Sequence, residues 1–128
     1  MTISGSFNVE IYVCEKAYTM GQKFVAMSDS NSCVYDENDI NLETVKKIKE
    51  VERGCIKEYL NFHLNAQYFE FVDSSHPIWN IKTDIALPYA TRNELNIKEA
   101  RALLKNSVIA VGESANMPCT YEVVKYLI

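Results

Sequence analysis

The chain has 128 residues, of which 48% are hydrophobic and 23% charged, and its formal net charge is −4. That length suits one domain around one core, the acidic balance argues against nucleic acid as a partner, and no apolar run is long enough to cross a bilayer. The start, Met1-Thr2-Ile3-Ser4, has neither a basic n-region nor an apolar h-region, so the expectation is a soluble, cytoplasmic protein with no membrane partner.

Ile3 and Ser4 read as the tail of a strand that enters a turn at Gly5. Val9, Val13, Ala17 and Met20 then recur at helical spacing until Gly21 ends the run. Lys23 to Ser28 is a short apolar segment, a second parallel strand by expectation, and Asp29-Ser30-Asn31-Ser32 breaks it. Cys33 to Tyr35 reads as a small edge strand. From Asn41, the spacing of Leu42, Val45, Ile48, Val51, Cys55 and Tyr59 predicts a helix with one apolar face and a solvated face of Lys and Glu.

Tyr68 to Val72 is aromatic and reads as a strand, as does Ile85 to Leu87. Asn96 and Glu99 form a capping box, with Leu95 and Ala100 as a hydrophobic staple, and open a helix that runs to about Asn106. Val108 to Val111 is apolar and rich in β-branched residues, which suits a central strand, and Tyr121, Val124 and Leu127 predict a last helix. Strands alternating with helices predict an α/β fold, a mostly parallel sheet with helices on both faces.

Cys14, Cys33, Cys55 and Cys119 are scattered without a C-x-x-C pair, so they read as reduced thiols rather than a disulfide framework or a zinc site. His63 and His76 lack ligand spacing and read as surface histidines, so no metal is expected. Two polar turns carry more information. Pro88-Tyr89-Ala90-Thr91-Arg92-Asn93 follows the strand ending at Leu87, and Glu113-Ser114-Ala115-Asn116-Met117-Pro118 follows the one ending at Val111. In open α/β sheets, ligands settle outside the carboxyl ends of the strands, so these turns stand where a nucleotide cofactor would lie. The alternative is that the Pro88 and Pro118 turns merely punctuate the fold.

The segments Asp84-Ile85-Ala86-Leu87-Pro88-Tyr89-Ala90-Thr91-Arg92-Asn93-Glu94-Leu95 and Glu113 to Pro118 resemble the D-I-A-L-P-C-A-T-Q-N-E-L and E-G-A-N-M-P stretches of the hexameric, NADP-linked glutamate dehydrogenases. Gly5-Ser6-Phe7-Asn8-Val9 is similar to that family's G-S-G-N-V phosphate loop, Ser28-Asp29-Ser30 to its S-D-S, and Ile56 to Tyr59 falls where it has a helix. These motifs cover nearly all of the chain in one order. The resemblance implies a single Rossmann-like dinucleotide-binding domain over residues 1–128, incomplete at its N- and C-terminal edges.

The same resemblance implies that Gly5, Ser6, Asn8 and Val9 cradle the cofactor phosphates and that Asp29 and Ser30 meet the adenine ribose. It places Ala90, Thr91 and Asn93 at the turn bordering the nucleotide and Asn116 near the nicotinamide ribose. It favours NADP over NAD. The residues alone leave that choice open, because a carboxylate at Asp29 repels a 2′-phosphate unless Lys46, Lys47 or Lys49 compensates, and Asp29 to Ser32 is also an ordinary turn. Phe7 and Glu10 replace the second glycine and the small third residue of the loop, and both oppose phosphate binding. Tyr89, Arg92, Gly112 and Ser114 also depart from the family pattern, and Ser114 would be strained if that position needs a positive φ.

No catalytic acid–base pair is evident in the turns. By resemblance, substrate binding and catalysis belong to segments outside these residues. The expected function is therefore the cofactor-binding part of an NADP-dependent glutamate dehydrogenase-like protein, inactive alone. The alternative is a degenerate nucleotide-binding remnant with a scaffold or interaction role. Expected partners are a nicotinamide dinucleotide and either a second copy or complementing glutamate dehydrogenase segments.

Overall fold

The structure is a computed structural model that describes residues 1–72 and 76–128. Its centre is a six-stranded sheet in the order β4-β3-β2-β1-β5-β6. The strands are β1 (Thr2–Ile3), β2 (Ala26–Ser28), β3 (Ser32–Tyr35), β4 (Gln67–Glu70), β5 (Ile85–Leu87) and β6 (Ala110–Val111). β1 pairs in parallel with β2 and with β5, and β5 with β6. β2, β3 and β4 form an antiparallel meander on one side. The sheet is thus mixed and mostly parallel, with helices packed on it, as the alternation of elements predicts.

Strand alternation sorts the core into two layers. Ile3, Met27, Val34 and Leu87 face one way, and register makes Ile3 the neighbour of both Met27 and Leu87. They pack with Ile11, Cys14 and Ala17 of α1 (Asn8–Thr19) and with Leu42 and Val45 of α2 (Leu42–Lys46). Ala26, Cys33 and Ala86 face the other way, against Trp79 of the 3-10 turn Pro77–Asn80, Ala100 and Leu103 of α3 (Ile97–Lys105), and Val123 of α4 (Tyr121–Leu127). Helices therefore cover both faces. The Asn96–Glu99 capping box is formed, with Asn96 Oδ1 accepting from Lys98 and Glu99 N–H groups and Glu99 Oε2 accepting from the Asn96 N–H at 3.0 Å.

Several expectations need correction. The buried stripe of α1 is Glu10, Ile11, Cys14 and Ala17, whereas Val9 and Met20 face solvent. The stripe Val9, Val13, Ala17 and Met20 leaves out Ile11 and Cys14, which with Ala17 and Glu10 occupy the inner face. The helix from Asn41 is shorter than predicted. It passes into a wide turn at Lys47–Val51, which adds a residue per turn and leaves Val51 exposed, and it stops at Arg53 (φ 51°) and Gly54. Ile56–Asn61 is a separate 3-10 turn.

Two strands also sit elsewhere than expected. β3 lies inside the sheet because β4 covers it. β6 is an edge strand among the described residues, and Ile109 beside it is 80% exposed, so an apolar, β-branched run did not distinguish centre from edge.

Candidate functional site: a crevice at the carboxyl ends of three strands

β1, β2 and β5 are parallel and adjacent, so their carboxyl ends open on one edge of the sheet. The turn after each delivers polar groups there. Gly5 follows β1 with φ 96°, a left-handed conformation that suits glycine, and its N–H donates to Ser28 Oγ at the end of β2 (3.1 Å). Ser4, wholly buried, donates its hydroxyl proton to Glu94 Oε1 (2.7 Å) and accepts from the Tyr89 and Ala90 N–H groups (2.8 and 3.1 Å). The three turns are thereby locked to one another.

They enclose a cavity of about 160 Å³ lined by Gly5, Phe7, Glu10, Asp29, Ala90 and Glu94, among others. Ser30 and Thr91 complete it on the polar side, and Phe71 and His76 on the aromatic side. Next to it, sharing Phe7, Asp29 and Ser30, is a second groove of about 430 Å³ that also holds Lys49, Arg53 and Gly54.

Gly5, Asp29, Ser30, Ala90 and Thr91 thus line one cavity. Ser6 lies behind it, wholly buried, with an Oγ that has no hydrogen-bond partner. Asn8 and Val9 are exposed on the first turn of α1 and do not line the cavity. Asn93 and Asn116 are also exposed and off its wall, but their turns touch: the Asn93 N–H donates to Met117 O (2.9 Å) and the Leu95 N–H to Pro118 O (3.0 Å). Asn93 and Met117 take positive φ values, whereas Ser114 does not, so the glycine-to-serine departure there carries no backbone strain.

Asp29 is already engaged. Its Oδ1 accepts from the Asn31 N–H and from the N–H and hydroxyl of Ser32, and its Oδ2 from the Ile56 N–H (2.9 Å) and from Lys49 Nζ (3.3 Å). Burial pushes its pKa up, yet the Ile56 and Asn31 hydrogen bonds and the Lys49 charge outweigh this and hold it below the ordinary value. Of the lysines considered as compensating cations, Lys49 is the one beside Asp29. Lys46 pairs with Glu15 and Glu43, and Lys47 with Glu52.

The loop substitutions also behave differently from expectation. The Phe7 ring is 67% exposed and stands at the rim, 5.6 Å from Lys49 Nζ. Glu10 turns inward and is 7% exposed, and a Cβ on Gly5 would lie 2.5 Å from its Oε1. Burial raises its pKa, against the opposing effect of the backbone N–H groups at the start of α1.

Glu94 and His76 are the site residues that sequence reading missed. Glu94 is 3% exposed, its Oε2 is unpartnered, and burial raises its pKa despite donors at Ser4, Ala90 and Thr91. His76 is half-buried with its ring 4.6 Å from Phe71, and burial lowers its pKa. His63 is half-buried too, stacked 4.4 Å from the Tyr59 ring and 2.9 Å from Thr44 Oγ1. Neither is a plain surface histidine.

Cys14, Cys33 and Cys119 are buried free thiols whose pKa values burial pushes up to about 12, and Cys55 is exposed. Among the described residues, no group of three or more His, Cys, Asp or Glu could hold a metal ion, and no helix is long and apolar enough to cross a membrane.

Comparison with known proteins agrees with this architecture. The NADP-specific glutamate dehydrogenase of Helicobacter pylori is 42% identical over 126 residues, which cover 96% of this chain and 28% of that enzyme. The corresponding enzyme of Haemophilus influenzae is 43% identical over 131 residues, 100% of this chain and 28% of its own length. The solved structure of Plasmodium falciparum glutamate dehydrogenase 2 superposes with a TM-score of 0.90 at 37% identity, covering 98% of this chain and 27% of that one. The chain therefore spans little more than a quarter of these relatives. The sequence profile of the Glutamate/Leucine/Phenylalanine/Valine dehydrogenase family matches residues 1–128, and the chain belongs to that family.

Proposed function

We propose that this chain is the Rossmann-like, dinucleotide-binding part of an NADP-type glutamate dehydrogenase-like protein of the cytoplasm. The observation that carries the reading is the single crevice that gathers Gly5, Asp29, Ser30, Ala90 and Thr91 at the carboxyl ends of β1, β2 and β5. NADP fits better than NAD on local charge. Ser30 and Arg53 share the adjoining groove with the Lys49–Asp29 ion pair, and a 2′-phosphate there would meet a hydroxyl, the Arg53 cation and a carboxylate whose charge Lys49 offsets. With the Lys49 charge beside it, Asp29 no longer repels that phosphate unopposed.

Hydride transfer to the nicotinamide ring is the cofactor's chemistry, and the protein's part is to hold and orient it. Oxidation of L-glutamate also needs a positioned acid–base pair, which this reading places in polypeptide beyond these residues, in the same chain or another. The inward carboxylate of Glu10 favours a second reading, a remnant kept for a scaffold or interaction role.

The test is to titrate NADPH into the chain and follow backbone amide NMR shifts, which detect weak binding. The proposal expects perturbations grouped at residues 5–10, 29–30 and 90–93, with no turnover of L-glutamate by the chain alone. Absent or scattered perturbations would replace the first reading with the second.

A further inference from the structure

The first turn of α1 is where an anionic ligand of this crevice would be held, because helix N-terminal N–H groups are free donors with a favourable dipole. Here that position already has an occupant. The side chain of Glu10, the third residue of α1, is 7% exposed and lines the cavity at that turn. It fills the space beside Gly5 so closely that a Cβ there would lie 2.5 Å from Oε1. An unpaired buried group borders the same cavity: Oε2 of Glu94, one of its lining residues. Phe7, the other departure in the loop, is exposed at the rim and does not fill this space.

We propose that Glu10 sets the ligand specificity of the crevice: its carboxylate is an internal stand-in for a phosphate, and an external phosphate group is admitted only when that carboxylate gives way. This rests on the dinucleotide reading above. In chemical terms, the crevice discriminates against a diphosphate and tolerates neutral or cationic ligands until the glutamate is neutralised or swung out. The groups facing Glu10 reinforce this. Glu94 across the cavity and Asp29 at its side are carboxylates, Cys14 one turn along α1 is a buried thiol, and His76 has its pKa lowered by burial. Lys49, in the adjoining groove, is held by Asp29 and Gly54 O. Burial favours the protonated form of Glu10, so phosphate affinity rises as pH falls.

The experiment is calorimetric titration of the full chain with NADPH and with inorganic pyrophosphate, at about pH 5 and about pH 8. It compares the unaltered protein with Glu10→Gln, which keeps the shape and removes the charge, and with Glu10→Ala, which empties the space. Thermal melts identify the folded variants, and Glu10→Gln decides the matter if the alanine variant does not fold. The expected result is about tenfold or more tighter binding of both probes to the variants at the higher pH. The pH dependence of the unaltered protein should largely vanish in Glu10→Gln, leaving only what His76 and Glu94 contribute. Equal affinities, or a full pH dependence retained in Glu10→Gln, would overturn this inference and leave the dinucleotide reading standing. No NADPH binding by any form at either pH would overturn both.

Discussion

Ser4 Oγ and Glu94 Oε1 lie 2.7 Å apart although 90 residues separate them in sequence, and this contact holds the end of β1 to the turn that follows β5. The Ser4 hydroxyl also accepts the Tyr89 and Ala90 N–H groups, so one buried oxygen organises both walls of the crevice.

Ser4→Ala should therefore be costly out of proportion to its size. It leaves Tyr89 N–H without that acceptor and removes a hydroxyl donor from a buried carboxylate, while creating almost no cavity. Leaving buried polar groups unpaired costs about 1–3 kcal/mol. Urea denaturation should show a loss in that range with an unchanged slope. A loss below the scatter of the measurement would mean that the turn relaxes to find other partners.

Asp29→Asn tests the second anchor. Asp29 fixes the β2–β3 turn and also receives the Ile56 N–H and the Lys49 ammonium, with both side chains of the ion pair under 10% exposed. Removing one charge from a buried pair costs about 3 kcal/mol at neutral pH, because Lys49 is left unpaired. The sign with pH follows from the depressed folded-state pKa. The stabilisation is present above the ordinary value of 3.8 and is lost as pH falls through the lower folded value. The variant and the parent should differ most near neutrality and converge in acid. Parallel stability curves down to the acid limit would contradict the ion-pair account.

How much of this was legible in the sequence depends on the range of the interaction. The Asn96–Glu99 capping box is local chemistry, and it is present as read. That Gly5, Asp29 and Ala90 would come together was legible because each follows a strand, and adjacent parallel strands end on one edge of the sheet. The phase of α1 was not legible, because Glu10 behaves as a core-facing residue only once Gly5 leaves room for its carboxylate. The edge position of β6 and the inner position of β3 are decided by pairing partners, and no strand carries its sheet order in its own residues. Glu94 was missed for a related reason: its hydroxyl partner lies 90 residues away.

The exposed side of β6 bears on assembly. Leu104, Val108, Ile109, Val124 and Leu127 line a groove of about 530 Å³ there, and Ile109 and Ile128 are 80% and 99% exposed. An apolar groove beside an open strand edge promotes association. Sedimentation velocity over a range of concentrations should show faster-sedimenting species for the parent chain. Ile109→Lys should weaken that association by about tenfold, the effect of losing one apolar anchor. A parent chain that sediments as a monomer at every concentration would remove this expectation.

The coupling between Gly5 and Glu10 can be measured without any ligand. Gly5 has φ 96°, so Gly5→Ala incurs backbone strain of about 1–3 kcal/mol wherever the new methyl group points. The methyl would also meet Glu10 Oε1 at 2.5 Å, and that part of the cost exists only while the carboxylate stays in place. A double-mutant cycle with Glu10→Ala separates the two. Gly5→Ala should destabilise the parent by about 1 kcal/mol more than it destabilises the Glu10→Ala variant, a coupling of the size seen between contacting residues. Additive effects would show that the Glu10 side chain leaves at no cost, in which case it could not hold a phosphate out of the crevice either.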